Sequence, residues 1–296
     1  MQWHAGASLP LTRVERSLYN ISTMLPGIEE FLTEDVGTED ITTNSIVPSE
    51  HRSSAKIIAK AAGVLAGQRF AREVFSFLDQ EITYMELKKD GDALYPGETI
   101  STITGRTRAI LTGERVALNI LQRLSGTASL TRTFVEAAAG TKARILDTRK
   151  TTPGMRAMEK YAVVMGGGVN HRRDLTEMAL IKENHIAVAG SIGEAVMLVR
   201  GASLVPIEVE VRSMDELKAA VEAAVDRIML DNWDTASMKE AVKFVDGRIA
   251  IEASGNMTVE RVREVAMTGV DFISVGALTH SAGSLDMSLL HEGVRI

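Results

Sequence analysis

From Thr131 onward the chain repeats one pattern: a short apolar run ends in polar residues, and a helix-like stretch follows. The runs are "ARILDTRK", "MALIKENH", "PIEVEVRS", "DRIMLDN", "RIAIEASGN" and "DFISVGAL". This rhythm constrains the fold more than any other feature, because strands alternating with helices of about 10–13 residues build βαβ units and a parallel sheet. Helix starts punctuate the pattern. Ser213 and Glu216 form a capping box ahead of "ELKAAVEAAV". Asp234 caps "TASMKEAVKF", and Thr258 caps "VERVREVAM", which stops at Gly269.

Six such units fit either a barrel or an open doubly wound sheet. The run ends favour the barrel. Nearly every run finishes on a residue capable of chemistry: Arg149-Lys150, Lys182, Glu210, Asp231, Ser254-Gly255, Gly276. In a barrel all strand C-termini open onto one mouth, so these residues converge. An open sheet concentrates its site at a single switch point and scatters some of them. Residues before about 120 read differently. "SSAKIIAKAAGVLAG" and "ITYMELKKDGDALYPGETISTITG" give β runs around Asp90-Gly91 and Pro96-Gly97 turns, and "TRAILTGERVALNILQRLSG" reads as helix. That is an α+β domain, with no low-complexity linker behind it.

Several function classes fall away on composition. Net charge −6 argues against general nucleic-acid or anionic-membrane binding, which needs an extended basic surface. With no cysteine there is no disulfide, thiolate metal site, iron–sulfur ligation or cysteine nucleophile, and a reducing cytoplasm is the expected location. No apolar run approaches the ~18 residues of a transmembrane helix, and the N-terminal stretch lacks the basic start and apolar core of a signal peptide.

Within an acidic chain, "DTRKTTPGMRAMEKYAVVMGGGVNHRRDL" gathers Arg149, Lys150, His171, Arg172 and Arg173 around Gly166-Gly167-Gly168. Two unit charges about 4 Å apart interact by about 4 kcal/mol at an effective dielectric near 20. Arg149, Lys150, Arg172 and Lys182 facing one cavity would repel strongly without a bound anion. The plainer reading is that they point outward or pair with Asp147, Glu159, Asp174 or Glu183. In "PIEVEVRS", Ile207, Val209 and Val211 share one face, with Glu208 and Glu210 on the other. Glu210 lies nearer the strand's C-terminal end and is the preferred site residue. With Asp231, at the end of the next strand, it can hold Mg²⁺ or accept hydrogen bonds from sugar hydroxyls; the alternative is an ion pair with nearby lysines. "ASGNMT" and "SVGALTHS" are candidate phosphate turns after late strands. His4, His51, His185, His280 and His291 show no metal-ligand spacing, and no nucleophile elbow is present.

Taken together, "GERVALNILQRLSGTAS", "ILDTRKTTPGMRAMEKYAVVMGGGVNHRRDLTEMALIKENHI", "IEVEV", "MLDN", "EASGN" and "ISVGALTHS" closely resemble the quinolinate phosphoribosyltransferase family, as do "EDVGTEDITT" and "GVLAG" upstream. The likeness spans roughly residues 28–290. It implies an α/β N-terminal domain (residues 21–118 plus 285–296, after an extension at 1–20) and an incomplete, about seven-stranded α/β barrel (119–284). The implied activity is that of a pentosyltransferase of NAD biosynthesis, joining quinolinate to phosphoribosyl pyrophosphate with release of CO₂ and pyrophosphate. By the same resemblance Arg149, His171, Arg172 and Lys182 bind the quinolinate carboxylates, and Lys150 lies close to both substrates. Glu210 and Asp231 hold the ribose and Mg²⁺, and Ser254, Gly255 and Gly276 line the 5′-phosphate site. A homodimer is implied, with Arg115 reaching the neighbouring site. Lys150, Glu210 and Asp231 are the expected catalytic residues.

The chain departs from the family where Asp174 stands in place of a commoner Gly. Such a carboxylate either pairs with Arg173 or tunes the pocket. Two other readings stand beside the first: a related phosphoribosyltransferase acting on another anionic base, as in a molybdenum-associated homologue, and a non-catalytic barrel binding a phosphorylated ligand. The carboxylate pair argues against the last, since binding alone needs no such pair at a ribose.

Overall fold

The computed structural model describes residues 27–292; the expected extension at 1–20 and the last residues, 293–296, lie outside that range. In chain order the strands are β1 (Arg52–Ala59), β2 (Gly63–Val64), β3 (Thr83–Glu86), β4 (Ala93–Leu94), β5 (Thr99–Arg106), β6 (Arg144–Leu146), β7 (Ala179–Ile181), β8 (Ile207–Val211), β9 (Arg227–Asp231), β10 (Ala250–Ser254), β11 (Phe272–Ser274) and β12 (Met287–His291). They divide between two compact units.

The first unit comprises residues 27–130, 153–166 and 282–292. Its antiparallel sheet has the order β12-β1-β5-β3. Strand β1 alternates, burying Ala55, Ile57 and Ala59 on one face. The turns expected at Asp90-Gly91 and Pro96-Gly97 form, with both glycines at positive φ. Phe70, Val74 and Phe75 of the helix Gln68–Leu78 fill the core, together with Ile110, Leu121 and Leu124 of the helix Thr107–Ala137. The expected boundary at 118/119 falls inside that helix; the division lies between Leu130 and Thr131. The reason is packing, since Leu121, Leu124 and Ala128 continue the buried stripe of the first unit past residue 118. The helix Arg156–Met165 also belongs here, because Met158 and Ala162 join the same core.

The second unit holds residues 131–152 and 167–281. Its parallel sheet has the order β6-β11-β10-β9-β8-β7. These six strands are the six apolar runs of the sequence. Going round, β7 to β11 keep chain order, and β11 then pairs with β6, the first strand of the unit. A sheet whose last strand pairs with its first, with no reversal of order, is a barrel and not a doubly wound sheet. The barrel is incomplete. Where a seventh strand is expected, a single parallel bridge joins Val169 to Leu146. The backbone beyond it is diverted, as the N–H of His171 goes to the Asp147 carboxylate instead of a ladder partner. The helix caps form at the expected residues: Ser213 accepts from the N–H of Glu216, Asp234 from Ala236 and Ser237, and Thr258 from Arg261.

Candidate active site

Parallel pairing brings the strand ends to one rim. Ile181 is opposite Val209, Val211 opposite Leu230, and Asp231 opposite Ser254. Lys182, Glu210, Asp231 and Ser254 therefore follow one another along the C-terminal edge. Lys182 Nζ donates to Glu210 Oε2 at 2.5 Å. Glu210 is nearly buried, while the Lys182 side chain is about half exposed. Arg212, one residue beyond β8, reaches both carboxylates, 3.7 Å from Glu210 and 3.8 Å from Asp231, and also pairs with Glu183. The sequence singled out the carboxylates but missed Arg212, since an arginine in a polar turn carries no signal of its own.

The turns after β10 and β11 follow the same edge. Gly255 has φ +98°, and a Cβ there would lie 2.2 Å from Asn232 Oδ1, so only glycine fits between the β9 and β10 turns. Gly276 abuts the side chain of Lys150: a Cβ would lie 3.2 Å from Lys150 Cδ. The backbone of Lys150 is tied to this turn by the Thr279 hydroxyl, which donates to its carbonyl at 2.8 Å.

The cations separate into two groups. Arg173 pairs with Asp174 and Glu177, and Lys182 with Glu210, the ion pair offered above as the alternative for that carboxylate. Among the described residues Arg149, Lys150 and Arg172 are in no ion pair. Burial, and next the charge of Arg149, hold the Arg172 guanidinium below its ordinary range, with Glu208 acting the other way. Arg172 Nη1 donates to the Met178 carbonyl at 2.9 Å, which fixes its direction. Arg115 belongs to the other unit. It is exposed on the helix Thr107–Ala137 in the first unit, whereas the other ten expected site residues all lie in the second.

Family comparison decides between chains that share this architecture. The profile of the family "Quinolinate phosphoribosyl transferase, N-terminal domain" matches residues 40–125, and that of its C-terminal domain matches 127–290. The chain belongs to the quinolinate phosphoribosyltransferase family. A probable nicotinate-nucleotide pyrophosphorylase (carboxylating) of Bacillus subtilis is 45% identical over 264 residues, covering 88% of this chain and 91% of that protein. Among solved structures, NadC from Streptococcus pyogenes superposes with a TM-score of 0.84 at 44% identity, covering 88% of this chain and 94% of that one. The nicotinate-nucleotide pyrophosphorylase of Francisella tularensis gives 0.86 at 41% identity, covering 90% and 94%.

Two features of this family member needed the structure. Asp174 accepts from Arg173 through one oxygen and from the N–H and hydroxyl of Thr176 through the other. The Thr176 bonds, and then Arg173, hold its carboxyl at about 2. Asp174 is thus spent on its own turn.

The second feature is a charged cluster inside the barrel. His171 Nε2 lies 3.0 Å from Glu208 Oε2 and 3.5 Å from Glu252 Oε2. Arg227 Nη1 donates to Glu252 Oε2 at 3.0 Å, and the Ser274 hydroxyl donates to its other oxygen. Burial and the neighbouring Glu208 push the Glu252 carboxyl up to about 7. The sequence led to His171 as a direct ligand of substrate carboxylates; the structure gives its ring buried partners of its own. Glu208 was legible only as a member of the polar face of "IEVEV", and Glu252 carried no signal of its own.

Proposed function

We propose that this protein transfers the phosphoribosyl group from phosphoribosyl pyrophosphate to quinolinate, giving nicotinate mononucleotide, CO₂ and pyrophosphate. The observation that carries the reading is the rim itself: Arg149 and Lys150 leave the C-terminal end of β6 with Lys150 against the Gly276 turn, Arg172 feels the charge of Arg149, and Glu210 and Asp231 end the neighbouring strands. The names of the relatives support it over a different anionic base or a non-catalytic barrel.

Each charge sign serves one step. The pyridine nitrogen bonds to ribose C1′ as the C1′–O bond to pyrophosphate breaks, and positive charge grows on the ribose. Glu210 and Asp231 stabilise it and accept hydrogen bonds from the ribose hydroxyls. The ring carbon beside the nitrogen then loses its carboxylate as CO₂, keeps the electron pair and takes a proton. Arg149, Lys150 and Arg172 stabilise the negative charge of that stage and hold the second carboxylate. Ser254, Gly255 and Gly276 receive the 5′-phosphate.

Oxygen donors on adjacent strands suit Mg²⁺, and Glu210 and Asp231 are the residues that would hold it. Held there, such an ion would supply positive charge to offset that of the leaving group. In this reading the chain works as a cytoplasmic homodimer, with Arg115 entering the partner's site. No helix among the described residues is long and apolar enough to cross a membrane.

The test is stoichiometry. Given quinolinate, phosphoribosyl pyrophosphate and Mg²⁺, the purified protein releases one CO₂ per pyrophosphate. Asp231→Asn keeps quinolinate binding, measured by titration, and weakens binding or turnover of phosphoribosyl pyrophosphate. Wild-type constants for both substrates in that variant would refute the ribose and metal assignment.

A further inference from the structure

The buried cluster has no part in the reaction as described, yet it stands directly behind Arg172. The N–H of Arg172 donates to Nδ1 of the preceding His171 ring at 2.7 Å. A ring nitrogen that accepts carries no proton, so the imidazole is neutral with its hydrogen on Nε2. That hydrogen points to Glu208 Oε2, 3.0 Å away. Glu208 Oε1 is buried and, among the described residues, meets no N–H or hydroxyl donor. Burial raises the Glu208 carboxyl above its ordinary range, while Arg227 and the neighbouring Glu252 carboxyl act the other way. Asp147 holds the segment from the other side, taking the His171 N–H through one oxygen and the Asn170 amide through the other.

The His171, Glu208 and Glu252 donor atoms lie close enough together for a metal ion. The hydrogen bonds argue against one. A metal on Nε2 would need the proton moved to Nδ1, which would break the bond from Arg172, and the Glu252 oxygen nearest the ring already accepts from Arg227.

We propose that Glu208 is a positioning residue for Arg172, acting through the ring of His171. Glu208 fixes the tautomer, the tautomer makes Nδ1 an acceptor, and Nδ1 fixes the backbone from which the Arg172 guanidinium is aimed. The inference rests on the reading of Arg172 as a ligand of a quinolinate carboxylate.

Glu208→Met removes the acceptor and fills the space. Replacing a buried charge by an apolar residue of similar volume is often neutral for stability, so the melting temperature holds while the quinolinate KM rises about tenfold or more, as for a lost charge-assisted contact. The KM for phosphoribosyl pyrophosphate stays within about threefold of wild type. In Glu208→Gln the amide oxygen accepts from His171 and the amide N–H turns to Glu252, so the quinolinate KM recovers. Nitrogen-15 spectra of the imidazoles, with His171 assigned by His171→Asn, show the Nε2–H tautomer in the wild-type full chain at about neutral pH; the opposite tautomer or an imidazolium overturns the proposal even if Glu208→Met does not fold. An unchanged quinolinate KM in Glu208→Met, or equal losses for both substrates and in both variants, also overturns it, as does a stoichiometric metal that leaves with Glu208. Arg172→Ala separates the two ideas. If it leaves the quinolinate KM unchanged, the ligand role of Arg172 falls and this inference with it. If it raises that KM and Glu208→Met does not, only the positioning role fails.

Discussion

Arg172 and Glu252 show how single groups in this barrel are set by what surrounds them. Arg172 keeps its charge beside Arg149 and without an ion-pair partner, so removing its guanidinium takes away binding and leaves the fold intact. Arg172→Ala loses on the order of 1.5–3 kcal/mol of quinolinate binding, measured by titration, with an unchanged melting temperature. Glu252 faces Glu208, His171, Arg227 and Ser274. Its carboxyl titrates near 4.5 when unfolded and near 7 when folded. The folded state therefore binds the extra proton between those values. The resulting stability is fully present below about 4.5 and is lost as pH rises through about 7, by an amount on the order of 3 kcal/mol. Glu252→Gln mimics the protonated acid, so its melting temperature declines less steeply over that window; a parallel decline would show that Glu252 is not the group responsible. At this scale the sequence was legible where a residue ends a strand, as for Glu210 and Asp231. It was silent on which inward charge meets which, because alternation in "IEVEV", "RIMLD" and "IEAS" gives a face but no partner. His171 was picked out by its motif, while its contacts depend on Glu208 and Glu252, on two strands, and on Asp147, all distant in the chain.

Elements were more legible than residues, because hydrophobic period and capping chemistry are local. The six strands and the Ser213, Asp234 and Thr258 caps all follow from residues within a few positions of each other. The boundary inside Thr107–Ala137 was not legible, since nothing breaks the helix where the core it packs against changes. Gly126 in this helix has a defined purpose. A Cβ there would lie 1.7 Å from the Gly283 carbonyl oxygen, so the helix meets the 282–285 segment backbone to backbone, beside the Leu285 N–H bond to the Gln122 carbonyl. Alanine is the better helix former, yet Gly126→Ala must push that segment away. Overpacking of this kind costs about 1–3 kcal/mol, read as a lower denaturant midpoint; a stabilised variant would mean that the contact yields freely.

At the scale of the whole molecule, ten of the expected site residues fall in one unit and Arg115 in the other. The dimer reading makes this division testable. Arg115→Ala and Lys150→Ala are each nearly inactive alone, and refolding them together in equal amounts restores about a quarter of wild-type activity, since about half the dimers are mixed and each mixed dimer has one intact site. No recovery despite chain exchange would return Arg115 to its own subunit or remove it from the chemistry. The unpaired cations Arg149, Lys150 and Arg172 await an anion. A dicarboxylate satisfies them; a monocarboxylate leaves part of the cluster uncompensated, which is costly where charge is withdrawn from water. The direct measurement is a competition, with equal quinolinate and nicotinate offered together with phosphoribosyl pyrophosphate and Mg²⁺, and CO₂ counted against pyrophosphate. Quinolinate consumption with one CO₂ per pyrophosphate is the predicted result, and pyrophosphate released from nicotinate at a comparable rate without CO₂ would contradict it.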